Sequence, residues 1–232
     1  MTERGDVTPL PSLKRAMVLY SRRVWERGWV ANHDGNLTVR LPANKTLATP
    51  TAFCKGDVTE SDLLVLDKAG KRLEGRWKPF GELNLHMVAY RARPDVGAVL
   101  HAHPPIATGF SCVGVDVETT IIAEAVVSLG ARIPTVPYAM PGSEAQLEAL
   151  AKVLPWFDAV LLGSHGVLTV GKDLEQAYLR MELVEHLARI QQAAISVGRP
   201  RSLPEKDVER LLQKRKEAGL GPEARGLGSP PP

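Results

Sequence analysis

Three histidines and one glutamate are the residues of this chain whose types and spacing can do chemistry. His101 and His103 stand one residue apart at the end of the apolar run "AVLHAHPP". In a strand, residues two apart point to the same face, so both imidazoles can be directed to one point about 6 to 7 Å along the chain. That arrangement suits two ligands of one divalent ion. A catalytic zinc site usually takes three protein ligands and leaves a position open, so a third is expected elsewhere. His165, in "LLGSHGVL", also closes an apolar strand and sits between Ser and Gly, where the backbone can approach closely. The plainer reading of each histidine alone is structural. Glu82 stands at the first turn of the helical stretch "GELNLHMVAYRAR", which runs through "RPDVG" into the His101/His103 strand. Alone it reads as a helix-terminal acid, because a helix N-terminus favours negative charge. Beside a metal it becomes an acid/base.

The remaining three of the six histidines read differently. His33 precedes "DGN" in a loop and is expected to bond to the turn. His86, four residues after Glu82, reads as an ordinary helix histidine, with a role behind the metal ligands as the alternative. His186 reads as a solvated or packing residue, and Glu124, in "IIAEAVV", as a helix-surface acid.

The elements that must position these groups follow from periodicity. Apolar residues recur at helical spacing from Ser12 to about Trp29. "NLTVRL" alternates as a strand, "DLLVLDKAGKRLEG" reads as two strands about a turn, and Pro94 ends the helix that Glu82 opens. Then come the strand "VGAVLHAH", a short helix from Pro104, the strand "ARIPTVPYA", the helix "EAQLEALAKVL" capped by Ser143, and two strands in "DAVLLGSHGVLTVG". Long helices are expected over Asp173 to Ile195 and Pro204 to Ala218. Strands and helices mix without a strict βαβ rhythm, which implies antiparallel pairing with helices covering both faces.

A chain of 232 residues, 44% hydrophobic and 24% charged, fits one globular domain, here residues 1–218. Residues 219–232, rich in Gly and Pro without an apolar period, read as a flexible tail. A net charge of +3 with interspersed signs does not imply nucleic acid, so a small-molecule partner is expected. Cys54 and Cys112 lack CxxC spacing, and no apolar run is long enough to span a membrane, so a cytoplasmic setting is expected.

In this order, "DGNLTVR", "ATPTAFCKGDVTESDLLVLD", "GELNLHMVAYRARPDVGAVLHAHPP", "PTVPYAMPGS" and "GSHGVLTVGKDLEQAY" resemble the class II aldolase/adducin family, from about Ala16 to Ala194. The resemblance implies a three-layer α/β/α fold with a largely antiparallel central sheet. It also implies a divalent zinc, with manganese or cobalt as alternatives, and a homotetramer with active sites between subunits. It places His101, His103 and His165 at the zinc, Glu82 as the catalytic carboxylate, and Gly35, Asn36, Thr51 and Gly81 on the substrate side. Cleaving a carbon–carbon bond next to a carbonyl leaves an enediolate, which needs an imine to lysine or a Lewis acid. Lys14, Lys55, Lys71, Lys78, Lys152 and Lys172 all lie among polar or turn residues, so the metal route is favoured.

Two departures qualify the substrate. Thr51-Ala52 and Phe80-Gly81 stand where the family's phosphate-binding aldolases carry a Thr-Gly and a Ser-Ser pair, so fewer donors meet a phosphate dianion. None of Tyr20, Tyr90, Tyr138 and Tyr178 matches the family's tyrosines clearly, which leaves the proton donor unassigned. The leading expectation is a zinc-dependent lyase performing reversible aldol cleavage of a sugar-derived hydroxy-carbonyl compound. An epimerase, dehydratase or decarboxylase using the same site, and a non-catalytic adducin-like scaffold, are the alternatives.

Overall fold

The computed structural model describes residues 8–228. The last four residues of the expected tail lie outside that range. The helices are α1 (Leu10–Glu26), α2 (Leu83–Ala92), α3 (Pro105–Val113), α4 (Ala123–Leu129), α5 (Glu144–Val153), α6 (Leu174–Val197), α7 (Glu205–Glu217) and α8 (Gly221–Ala224). The strands are β1 (Asn36–Leu41), β2 (Lys45–Ala48), β3 (Leu64–Leu66), β4 (Arg72–Glu74), β5 (Ala98–Ala102), β6 (Thr135–Val136), β7 (Ala159–Leu162) and β8 (Gly166–Gly171). They form one sheet in the order β4-β3-β2-β1-β5-β8-β7-β6. Every pairing is antiparallel except β6 with β7. The expected three-layer α/β/α architecture is therefore present.

Alternation along the strands divides the core in two. Leu37, Leu100 and Val167 join Met17, Phe110 and Met181 from α1, α3 and α6 on one face. Val99, Leu168 and Val170 join Leu85, Val88 and Leu150 from α2 and α5 on the other. Each face removes a continuous apolar layer from water, the main favourable contribution to folding.

Local signals hold where side chains cap or stop an element. Ser143 Oγ accepts the Gln146 N–H at 3.3 Å at the start of α5, and Asp173 Oδ1 accepts that of Gln176 at 2.8 Å at the start of α6. α3 ends at Gly114, whose φ of 67° puts it in the left-handed region. The strand expected across "ARIPTVPYA" shrinks to the two residues of β6, because Pro134 and Pro137 flank it and neither can donate to a ladder. β2 is additional to the sequence expectation. Within the tail, α8 buries Gly221 and Pro222. No helix among the described residues is long and apolar enough to cross a membrane.

Candidate metal centre

β5 lies between β1 and β8, with Asn36 opposite His101 on one side and Leu168 opposite it on the other. Val99 belongs to the α2-side core, so alternation turns His101 to the face that α2 covers. His103 lies just past the strand, and its N–H donates to the Trp29 carbonyl at 2.8 Å. The chain then enters α3, whose Ile106 and Ala107 N–H groups donate to the buried Glu185 carboxylate at 3.2 and 2.9 Å. A carboxylate at that helix start fixes the direction in which the chain leaves His103. His165 arrives on the tight turn between β7 and β8, where Ser164 takes a φ of 50° and the His165 N–H donates to Leu162 O at 3.0 Å.

Glycine is what allows these rings to meet. A Cβ on Gly166 would lie 2.5 Å from His103 Cδ2 and 2.6 Å from Ala102 O. At Gly35, where φ is +70°, a Cβ would fall 2.4 Å from Val30 Cγ1.

The ligand atoms of His101, His103 and His165 all lie within 4.8 Å of one another. Ring centroids are 4.9 Å apart for His101 and His103, 4.7 Å for His101 and His165, and 5.3 Å for His103 and His165. His101 Nδ1–H donates to Val167 O at 3.0 Å, which leaves Nε2 bare. Asp34 Oδ2 lies 3.6 Å from His103 Nδ1 and favours a proton there. His103 Nε2 then faces His101 Nε2 across 3.1 Å, two lone pairs pointing at each other. Burial pushes the His101 pKa down to about 4, outweighing the Glu82 charge, and burial with the neighbouring His165 lowers that of His103. Both rings are therefore neutral at neutral pH, the form that metal binding requires. His165 Nδ1 is buried without a hydrogen-bond partner. Three converging imidazoles, two with opposed lone pairs, fit a divalent transition metal.

Glu82 caps α2 beside this group, with Oε1 2.7 Å from His165 Nε2 and Oε2 3.5 Å from His101 Nε2. Burial would raise its pKa. The hydrogen bond from His165, the polar neighbourhood of the two imidazoles, and the Asn36 amide outweigh that and hold it well below the usual carboxylate range.

The other residues distribute unevenly. Both ends of the Asn36 amide are engaged: Nδ2 donates to Glu82 Oε2 at 2.9 Å, and Oδ1 lies 2.5 Å from His86 Nε2. His86 is thus fully buried behind the site, and the ordinary-helix reading of it is corrected: α2 lays this face on β1, a pairing the local sequence does not reveal. Thr51 and Gly81 sit on adjoining segments, joined by the Thr51 N–H to Lys78 O at 3.1 Å. Phe80 is buried and packs edge-on against His86 at 5.1 Å. Ala52 holds a left-handed φ of 58°, a conformation that glycine adopts without strain. Glu124 is exposed on α4.

Lys55 is the second correction. It is 2% exposed, with Nζ donating to Phe53 O at 2.9 Å and His33 O at 3.3 Å, and burial lowers its pKa to about 8. Its polar sequence neighbours "CKGD" gave no sign of this, because loops distant in the chain enclose it.

Residues 15–192 match the family described as Class II Aldolase and Adducin N-terminal domain. The chain is 33% identical to a 3-oxo-tetronate 4-phosphate decarboxylase from Pectobacterium atrosepticum over 192 residues, covering 80% of this chain and 88% of that protein. It is also 33% identical to an L-fuculose phosphate aldolase from Methanocaldococcus jannaschii over 177 residues, covering 76% and 94%. A solved structure of an L-fuculose 1-phosphate aldolase superposes with a TM-score of 0.82 at 27% identity, covering 91% of this chain and 99% of that one. With the family matched across most of its length and the fold shared, the chain belongs to the class II aldolase and adducin N-terminal domain family.

Proposed function

We propose that this chain is a metal-dependent lyase that performs reversible aldol cleavage of a sugar-derived hydroxy-carbonyl substrate. The observation that carries the reading is the convergence of His101, His103 and His165, with Glu82 Oε1 2.7 Å from His165 Nε2. The three histidines hold the cation: zinc by donor preference, manganese or cobalt as substitutes. When bound, it supplies a Lewis acid that draws charge from the substrate carbonyl. Glu82, held ionised, takes the proton of the substrate hydroxyl as the carbon–carbon bond breaks and that bond's electron pair passes to the carbonyl oxygen. It returns a proton to carbon afterwards. Acid/base groups of this kind contribute roughly 10² to 10⁴ in rate.

Gly35, Asn36, Thr51 and Gly81 form the substrate side. The Asn36 amide already serves Glu82, so phosphate contact there falls to backbone groups. A homotetramer agrees with exposed Tyr138 and Met140, apolar side chains in the loop beside the His165 turn that a neighbouring subunit would cover. The free thiols of Cys54 and Cys112 agree with a cytoplasmic setting.

Decarboxylation is the second reading, favoured by the 33% identity to a 3-oxo-tetronate 4-phosphate decarboxylase. It breaks the same kind of bond, with carbon dioxide leaving, that bond's electron pair passing to the carbonyl oxygen, and Glu82 relaying a proton from solvent to carbon. The test is metal analysis after metal-replete expression, followed by incubation with L-fuculose 1-phosphate and with 3-oxo-tetronate 4-phosphate under NMR. Two carbonyl fragments establish the lyase, carbon dioxide the decarboxylase. Strongly substoichiometric metal removes both.

A further inference from the structure

Behind Glu82 runs a line of buried polar groups whose proton positions are fixed one by one. The Asn36 Nδ2–H₂ donates to Glu82 Oε2 at 2.9 Å. Its Oδ1 then faces His86 Nε2 at 2.5 Å, and a carbonyl oxygen has nothing to donate, so His86 carries its proton on Nε2. His86 is fully buried and neutral, with one N–H only. Nδ1 is therefore bare and accepts the Thr38 hydroxyl proton at 2.8 Å. With its single proton committed, Thr38 Oγ1 accepts from the Tyr90 hydroxyl at 2.9 Å. Strand alternation places Asn36 and Thr38 on one face of β1, while His86 and Tyr90 stand four apart on the facing side of α2.

We infer that Thr38, His86 and Tyr90 are positioning residues of the active site. Their donors run in one direction, from Tyr90 through Thr38, His86 and Asn36, and end on Glu82 Oε2, leaving Oε1 turned to His165. Reversing any link reverses those beyond it, until the Asn36 carbonyl points at the Glu82 carboxylate and repels it. The inference rests on the acid/base reading of Glu82, yet the proton order itself can be observed without substrate or metal.

The experiment is ¹⁵N NMR of the histidine-labelled full chain, with Thr38→Val, Thr38→Ser and Tyr90→Phe compared with wild type. In wild type, His86 should be the neutral Nε2–H tautomer with a slowly exchanging proton. Thr38→Val should disturb that tautomer and lower kcat about 10- to 100-fold, the usual cost of losing a group that orients a site residue, with KM within about twofold. Thr38→Ser should restore both, and Tyr90→Phe should give the smaller loss. A wild-type His86 protonated on Nδ1, or a folded Thr38→Val with wild-type kcat, overturns the inference. Should Thr38→Val not fold, the wild-type tautomer and Tyr90→Phe decide. Glu82→Gln separates the two readings: full activity in that variant overturns the role of Glu82, whereas the wild-type tautomer reports on the chain independently.

Discussion

The histidine centre and the Asp158 cluster are both polar groups at strand ends of the same sheet, yet they are built on opposite rules. Asp158, 1% exposed, is met by Arg93 at 3.0 Å, Arg180 at 2.9 Å and Arg215 at 2.7 Å, with Arg225 at 3.7 Å. The guanidiniums also reach carbonyls: Arg93 that of Leu154, Arg180 that of Val170, Arg215 those of Val127 and Ser128, and Arg225 that of Pro155. Burial would raise the Asp158 pKa, but the arginines hold it below the usual carboxylate range. There, the carboxylate is fully partnered inside the protein, although Arg225 Nε is buried without a partner of its own. At the histidines, His101 Nε2 and His103 Nε2 face each other, and His165 Nδ1 lacks a partner. A buried polar group left unmatched costs stability, so such a site persists where something else is to complete it. The first region holds the fold together, and the second holds capacity in reserve.

Breaking the matched region should have the largest effect on stability. Asp158→Ala leaves buried guanidiniums without their carboxylate and should cost about 3–5 kcal/mol by urea denaturation. A loss near zero would erase the contrast. Next, His103→Ala should lower kcat/KM at least about 100-fold, roughly 3 kcal/mol of barrier, while changing the stability of the metal-free protein by less than about 1 kcal/mol. A stability loss as large as that of Asp158→Ala would show that the histidines are structural. Gly166→Ala drives a methyl against His103 and Ala102 O and should cost about 1–3 kcal/mol together with weakened zinc binding, measured by titration calorimetry.

Lys55 supplies an effect spread over pH, as a buried cation that hydrogen-bonds carbonyls instead of pairing with a carboxylate. Its pKa is about 8 when folded and 10.5 by ordinary reference, so between those values the unfolded chain binds more protons. Stability should therefore rise with pH across that window, by at most about 1.4 kcal/mol per pH unit from this group. The penalty is fully present below about 8 and gone above 10.5. Lys55→Met should lack this slope in denaturation series from pH 7 to 10.

How much of this was legible in the sequence follows from the range of the interaction involved. His101, His103 and His165 each close an apolar strand, and both strand ends and alternation are local properties that reading alone recovers. α2 was legible from its period and from Pro94. The partnership of His86 with Asn36 and Thr38 was not, since those residues are 50 and 48 positions away and meet only when α2 lies on β1. Lys55 hid for the same reason, as did Asp158, an ordinary acid before an apolar strand whose arginines come from four separate segments. β2, four residues long, and β6, two residues long, carry too little pattern to stand out.

The pairing of β5 with β8 carries a final consequence. Five residue pairs join these strands, from Ala98 and Gly171 to Ala102 and Val167, and the imidazoles hang from the end of that seam. An ion gripped there acts as a clasp, so its arrival should slow amide hydrogen exchange first along these two central strands and least in the distant β4 hairpin.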